Sequence, residues 1–487
     1  MSDSPDSKNT PHDEVKGQHD KVQITAISDD TAGYRRTAHP DAQWYAEAGL
    51  GLFFHWGISS VEGKSDLSWG MIKRPPGFPK LQADNHGIYA VQTVIPPTEY
   101  WKQAERFLCE NYDPDKWLSA AREAGAKYVV LTTKHHDGFC LWPSEFGDLN
   151  TKKFLGGRDL VGEFVAACRK NDLKIGFYYS PPDWYFHRHN MSFRYGDEKP
   201  ALDMNHEPYE LPVVRDKESA GSPPTAGEPP VKSLMCGISA HASSMSPEEK
   251  AEFDAAYRAH VNGHVTELLT RYGQIDIFWF DGPMPEGAMT FQEIRAIQPG
   301  ILLNPRGYGY GDFNTPECKF PAERFDAGWW EYCHVFADGA WGYLDHEVYK
   351  PLGWLLGEYS KTRAWDGNFL PNVAPNSHGE MPESYYLRMR QLKAWMAQNS
   401  ESVVGTTGGT WPEDSNVPLT KNDGKTYAHV DWLFDEAVVA IRGIPSPRSV
   451  RLLQSGTPLP FEFTEGRLTF SIPQALRSNL TDVVVIE

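Results

Sequence analysis

Between about Trp44 and residue 400 the chain alternates between two rhythms: short runs of aromatic and β-branched residues, and longer stretches in which apolar residues return every three or four positions. That alternation is the pattern of βα units wound around a parallel sheet. In the clearest unit, Asp113-Pro114 predicts an N-cap followed by proline at the first helical position. Trp117, Ala120, Ala121 and Ala124 then share a helical face, and Gly125 predicts the stop. The run KYVVLTT (127–133) follows at once as a strand. A second unit joins a helix over 159–171 to the strand KIGFYYS (174–180), and a third joins a long helix to IDIFWF (275–280). Ser246-Pro247-Glu248-Glu249 predicts a capping box with proline in the first turn of that helix, and a short strand, ILLN, ends at Asn304.

From about residue 405 the rhythm changes to period-two runs between turn residues (VVAIRGI, RSVRLLQ, PFEFTE, LTFSI) and a terminal apolar run, VVVIE. These predict an antiparallel β-sandwich over 405–487. The expected architecture is α/β: a (β/α)8-like barrel over 39–404, then the sandwich. Residues 1–38 are polar and read as a disordered tail. The stretch at about 187–245, with SAGSPPTAGEPP inside it, reads as a long insertion after a barrel strand, placed to overhang the catalytic face or to run over the surface as a tolerated excursion.

Composition narrows the function. With 65 acidic against 47 basic residues the formal charge is −18, a field that repels phosphate backbones and anionic lipid, so neither nucleic acid nor membrane is expected as a partner. Six scattered cysteines show no C-x-x-C spacing, which indicates neither a zinc ribbon nor a disulfide framework. The first 22 residues carry no apolar signal core, and no run of 18 apolar residues occurs, so a soluble, cytoplasmic protein is expected. No cofactor and no metal is expected, and a homo-oligomer is compatible with the composition.

In a (β/α)8 barrel the reacting groups stand at the C-terminal ends of the strands. Here YVVLTT runs into Lys134-His135-His136-Asp137, KIGFYYS carries Tyr178 and Tyr179, IDIFWF runs into Asp281-Gly282, and LGLFF runs into His55-Trp56. Strand alternation puts Trp279 and Asp281 on one face and Phe278 and Phe280 on the other. An inward Asp beside a large ring suits a carboxylate nucleophile against a sugar; the alternative is that Asp281 only caps the turn at Gly282. Glycoside cleavage needs a second carboxyl to protonate the leaving oxygen. Glu317, in the loop GDFNTPE (311–317), is a candidate, and on residue pattern alone Glu323 and Glu331 serve equally well.

The segments FFHWG, AREAGAKYVVLTTKHHDGFCLWPSEF, RDLVGEFVAACRKNDLKIGFYYS, FWFDG, GDFNTPE and WEYCHVFADGAWGY follow one another as they do in glycoside hydrolase family 29, the α-L-fucosidases. The resemblance spans about residues 41–400. It implies a retaining exo-glycosidase that releases α-L-fucose or a closely related sugar, with the nucleophile on Asp281 and the acid/base on Glu317. It also implies sugar contacts at His55, His135, His136, Tyr178 and Trp279, with Trp56 and Trp69 at the pocket wall. One position departs from the pattern: the Glu-Trp that usually follows HWG is matched by Ser68-Trp69, which implies weakened or retuned sugar binding. Two other readings compete with this one. A metal-dependent hydrolase is disfavoured because adjacent His135 and His136 on a strand point apart. A catalytically silent sugar-binding protein is disfavoured by the presence of both carboxyls.

Overall fold

The computed structural model describes residues 35–73, 93–194, 200–209, 245–325 and 328–487. Apart from residues 35–38, the expected tail lies outside the described residues, as do 195–199 and 210–244 of the insertion.

Eight parallel strands form an almost closed barrel: β1 (Gly51–Phe54), β2 (Tyr128–Lys134), β3 (Lys174–Tyr179), β4 (Ile277–Phe280), β5 (Leu302–Leu303), β6 (Phe313–Asn314), β7 (Trp329–Val335) and β8 (Asn368–Val373). Their order in the wall is β5-β4-β3-β2-β1-β8-β7-β6. The enclosing helices are α1 (Pro114–Glu123), α2 (Leu160–Lys170), α3 (Pro247–Thr270), α4 (Phe291–Ile297), α5 (Leu352–Ala364) and α6 (Glu383–Asn399). No described helix separates β5 from β6 or β6 from β7, which is where the barrel departs from a regular eightfold repeat. No ladder joins β5 to β6 across the seam. Instead the Asp312 N–H donates to Leu303 O at 2.7 Å, and the Asp312 carboxylate accepts from Leu303 N–H at 2.9 Å.

The predicted elements form for the reasons their residues supply, with one exception. Ser246 and Glu249 cap α3 reciprocally, and Gly125 ends α1 at φ +104°, a backbone region that favours glycine. A Cβ there would also meet Met396. Asp113, however, does not cap α1 through its side chain; it pairs with Lys116 at 3.2 Å. Buried Trp117, Leu118 and Ala121 on α1 and Leu160, Phe164 and Val165 on α2 pack in one large core between helices and wall. A second core fills the barrel itself with Phe53, Tyr128, Val130, Tyr178, Ile277, Trp279, Phe313, Cys333 and Leu370. Strand alternation is obeyed here: Trp279 belongs to the inner core, Phe278 and Phe280 to the outer.

The last residues of the expected tail are anchored. Thr37 N–H donates to Asp312 Oδ1 at 2.8 Å, and the Arg36 guanidinium lies 4.6 Å over Trp329. The described part of the insertion is likewise docked, forming a short hairpin (Ala201–Leu202 with Pro208–Tyr209). From it, Met204 O accepts from Thr98 N–H and His206 Nε2 bonds Met71 O, which places it beside the 3-10 turn Leu67–Met71 that carries Ser68 and Trp69.

After α6 the chain forms a sandwich of a five-stranded and a three-stranded antiparallel sheet with its own core, including Leu419, Val430, Ile441, Leu468 and Val484. The five-stranded sheet rests on the barrel: Trp365 Nε1 donates to Trp411 O, Trp395 Nε1 to Thr481 O and Arg363 to Thr406 O. No described helix is long and apolar enough to cross a membrane.

Candidate active site

Polar side chains converge where β1 to β6 end. Asp281 continues β4, its N–H held by Tyr179 O at 3.0 Å, and its side chain is 12% exposed. Oδ2 accepts from Tyr178 OH at 2.6 Å and lies 3.6 Å from His136 Nε2; Oδ1 accepts from Arg306 Nη1 at 3.0 Å. These partners, not the Gly282 turn, account for the Asp281 carboxylate. Glu317 stands on the far side of the seam. Its loop is pinned to β7, because Cys318 N–H donates to Cys333 O and Cys333 N–H to Pro316 O. The Glu317 side chain is 25% exposed and accepts from Arg306 Nη2 at 2.7 Å. Of the two other glutamates, Glu323 is exposed and Glu331 is sealed inside the barrel.

Arg306 therefore bridges Asp281 and Glu317. It follows β5 by three residues, and Asn304, which exchanges two hydrogen bonds with the Phe280 backbone, sets its position. Nε and Nη2 bond Thr315, and the guanidinium lies 4.3 Å over the Trp279 ring. Sequence reasoning missed Arg306 by stopping at Asn304; carrying the strand-end rule two residues further finds it. Burial raises the Glu317 pKa and Asp281 adds to this, while Arg306 holds it down.

The histidines surround this pair as neutral groups. Burial lowers His55 to about 4 and His136 to about 3 and takes His135 well below its usual value. Two tautomers follow from the hydrogen bonds. Asn372 Nδ2 donates to Trp341 O, so Asn372 Oδ1, 2.6 Å from His55 Nδ1, is an acceptor and that nitrogen carries the proton. Ser180 Oγ donates to Pro182 O, so it accepts from His136 Nδ1 at 2.6 Å. The Nε2 atoms of His55 and His136 are left as acceptors, the form needed to receive sugar hydroxyls. His135 Nδ1 meets Ser68 Oγ at 2.5 Å, and its ring stacks on Tyr178, centroids 5.6 Å apart at 7°. Ser68 thus occupies itself with the histidine next to the pocket.

The structure brings together His55, His135, His136, Tyr178, Trp279, Asp281 and Glu317, and sets Trp69 edge-on to His136 at 5.7 Å. It does not bring Trp56. That ring packs outside the wall on Phe107, Tyr112 and Trp117, and its N–H donates to Asn376 O. Alternation continues past β1, so His55 faces inward and Trp56 outward.

His135 and His136 do not diverge as strand alternation predicts. The β2 register shifts between Thr132 and Lys134, and the two rings stand 4.1 Å apart with both facing the pocket. The ligand atoms of His135, His136 and Asp281 fall within 4.8 Å of one another, so divergent geometry does not exclude a metal. The charge environment is a poor fit: both Asp281 oxygens already hold donors, and one donor is a guanidinium that would repel a second cation.

Comparison with known proteins agrees with this geometry. A family profile described as Alpha-L-fucosidase matches residues 29–401. Tissue alpha-L-fucosidase of Rattus norvegicus is 25% identical over 453 residues, covering 88% of this chain and 83% of that protein. Alpha-L-fucosidase isoenzyme 1 from Paenibacillus thiaminolyticus has a similar structure, with a TM-score of 0.66 at 27% identity over 92% of this chain and 98% of that one. A GH29 alpha-L-fucosidase from Bacteroides thetaiotaomicron, solved as a trapped covalent intermediate with 2-fluoro-fucosyl fluoride, shares the fold with a TM-score of 0.67 at 19% identity, covering 93% of this chain and 97% of that one.

Proposed function

Because the chain belongs to the alpha-L-fucosidase family, we propose that it is a retaining exo-glycoside hydrolase that releases α-L-fucose from oligosaccharides or glycoconjugates, with Asp281 as nucleophile and Glu317 as acid/base. The observation that carries this reading is the bridge: two carboxyls on opposite sides of the barrel seam are held near one another by one buried guanidinium, and a double displacement needs two carboxyls close together.

In the first step the Asp281 carboxylate attacks the anomeric carbon. The bond to the leaving oxygen breaks, and that oxygen takes the proton of Glu317. Once Asp281 is an ester its negative charge is gone, and with it one of the influences that raise Glu317. The Glu317 acidity therefore rises between the steps, leaving a carboxylate that removes a proton from water as the water attacks the same carbon and expels Asp281. His55, His135 and His136 orient hydroxyls, and Trp279 lies beneath the reacting centre with Arg306 on its face.

Purified protein is expected to release the aryl group from an aryl α-L-fucoside, to form the α anomer first by NMR, and to lose at least about 10³-fold in kcat in Asp281→Asn. Silence of the wild type across a panel of aryl glycosides, with retained binding of L-fucose, would replace this reading with that of a sugar-binding protein.

A further inference from the structure

We propose that Glu331 is the positioning residue of the sugar pocket: a carboxyl on the barrel axis that holds the Trp279 ring from below and thereby places Arg306 and Tyr178 against Asp281. The inference rests on the reading of Asp281 and Glu317 given above.

Glu331 points inward from β7 and has no exposed surface. Its Oε1 accepts from Trp279 Nε1 at 3.0 Å; its Oε2 accepts from Tyr128 OH at 2.6 Å and Tyr45 OH at 3.2 Å. Donors from β4, β2 and the first turn (Pro40–Glu47) thus meet on one carboxyl in surroundings otherwise filled by apolar and aromatic side chains. An isolated carboxyl is costly to bury, and an apolar side chain would fill the space without that cost. What an apolar residue cannot do is fix an indole. The Trp279 ring needs fixing because two groups that touch Asp281 rest on it: Arg306 at 4.3 Å over its face, and Tyr178, stacked at 5.6 Å and 18°.

The ionisable and charged neighbours are Tyr45, Tyr128, Cys333 and Arg306. Burial pushes the Glu331 carboxyl up to about 7 against the pull of its three donors and Arg306, so its charge changes across neutral pH. A group that merely satisfied two tyrosine hydroxyls would affect folding and leave the reaction untouched.

The test compares Glu331→Gln, which keeps the shape but offers one carbonyl oxygen to three donors and cannot ionise, with Trp279→Phe, which removes the indole donor, and with the double variant. Expected are about a tenfold fall in kcat for Glu331→Gln with L-fucose affinity within about threefold of wild type, loss of an inflection near pH 7 from the kcat profile, and a double variant no slower than Trp279→Phe alone. Tyr128→Phe, which deletes one donor, moves that inflection to higher pH. Wild-type kcat and an unaltered profile in Glu331→Gln, or additive losses in the double variant, would overturn the proposal. A protonated-carboxyl infrared band that titrates near pH 7 and disappears in Glu331→Gln is read without substrate, and its absence also overturns the proposal. A wild type that hydrolyses no glycoside sinks the fucosidase reading on which the inference depends, and is a different result from an active wild type beside an unaffected Glu331→Gln.

Discussion

Replacing Arg306 by methionine keeps an apolar surface over Trp279 and deletes four hydrogen bonds: one each to Asp281 and Glu317 and two to Thr315. The guanidinium side chain is only 7% exposed, so water does little to compensate. Removing one member of a buried charge cluster costs about 3–5 kcal/mol of folding stability. Two carboxyls then face each other unneutralised, and the loss grows with pH because Glu317, no longer held down by Arg306, resists ionising. For the same reason the alkaline limb of kcat/KM, set by protonated Glu317, is expected to move up in Arg306→Met, while kcat/KM at the optimum falls about 10²-fold or more through loss of a fixed donor to the nucleophile. Urea denaturation at several pH values and a kcat/KM profile on an aryl α-L-fucoside measure both effects. An alkaline limb that stays in place or moves down, or a stability loss independent of pH, would refute the argument that one cation couples the two carboxyls.

Other outcomes follow from the same geometry. Ser68→Ala leaves His135 Nδ1 without its partner, and is expected to raise KM about fivefold, near 1 kcal/mol, with little change in kcat; a fall in kcat with KM unchanged would show that Ser68 acts in the transition state. Chelators are expected to leave the rate unchanged, whereas a requirement for an added divalent ion would assign the His135, His136 and Asp281 cluster to a metal. Buried His429, lowered to about 3 in its place between Ser360 and Thr420, stays neutral in the fold while the unfolded chain takes up protons below about 6.5. Its contribution is complete above that pH and is lost as pH falls toward 3, so the stability of His429→Gln relative to wild type should rise by about 1.4 kcal/mol per pH unit in that window; a flat difference would reject a neutral His429. Glu331 has the opposite sign, since its raised folded pKa makes stability fall from about pH 4.5 to about 7, and the Glu331→Gln variant should gain on wild type as pH rises through that range.

Much of this was legible from strand-end chemistry. Asp281 and Trp279 followed from period-two alternation along IFWF, and the same rule applied to LGLFFHW would have separated His55 from Trp56, because alternate positions cannot both face the pocket. The rule misled at His135-His136, where an irregular β2 end turns two neighbours the same way; nothing in the local residues announces that shift. Glu317, Glu323 and Glu331 looked alike in sequence because what distinguishes them is long-range: a bridge to β7 for the first, exposure for the second, and enclosure by Tyr45, Tyr128 and Trp279 for the third. Arg306 was hidden for a similar reason, since its partners lie 25 residues upstream and 11 downstream.

The seam between β5 and β6 gives the molecule a way to fail locally. Elsewhere the wall is tied by backbone ladders, but here two-residue strands are closed by Asp312, which gathers Leu303 N–H, Thr37 N–H and Arg295. Asp281 stands on one bank and Glu317 on the other, and Arg306 spans the gap. The spacing on which retention depends is therefore set by side chains rather than by sheet geometry, and heat or mild denaturant can widen it while the remaining strands stay paired. The expected outcome is a protein that loses activity before it melts and recovers it on cooling, with exchange of the Leu303 and Asp312 amides tracking the lost activity rather than the loss of the fold.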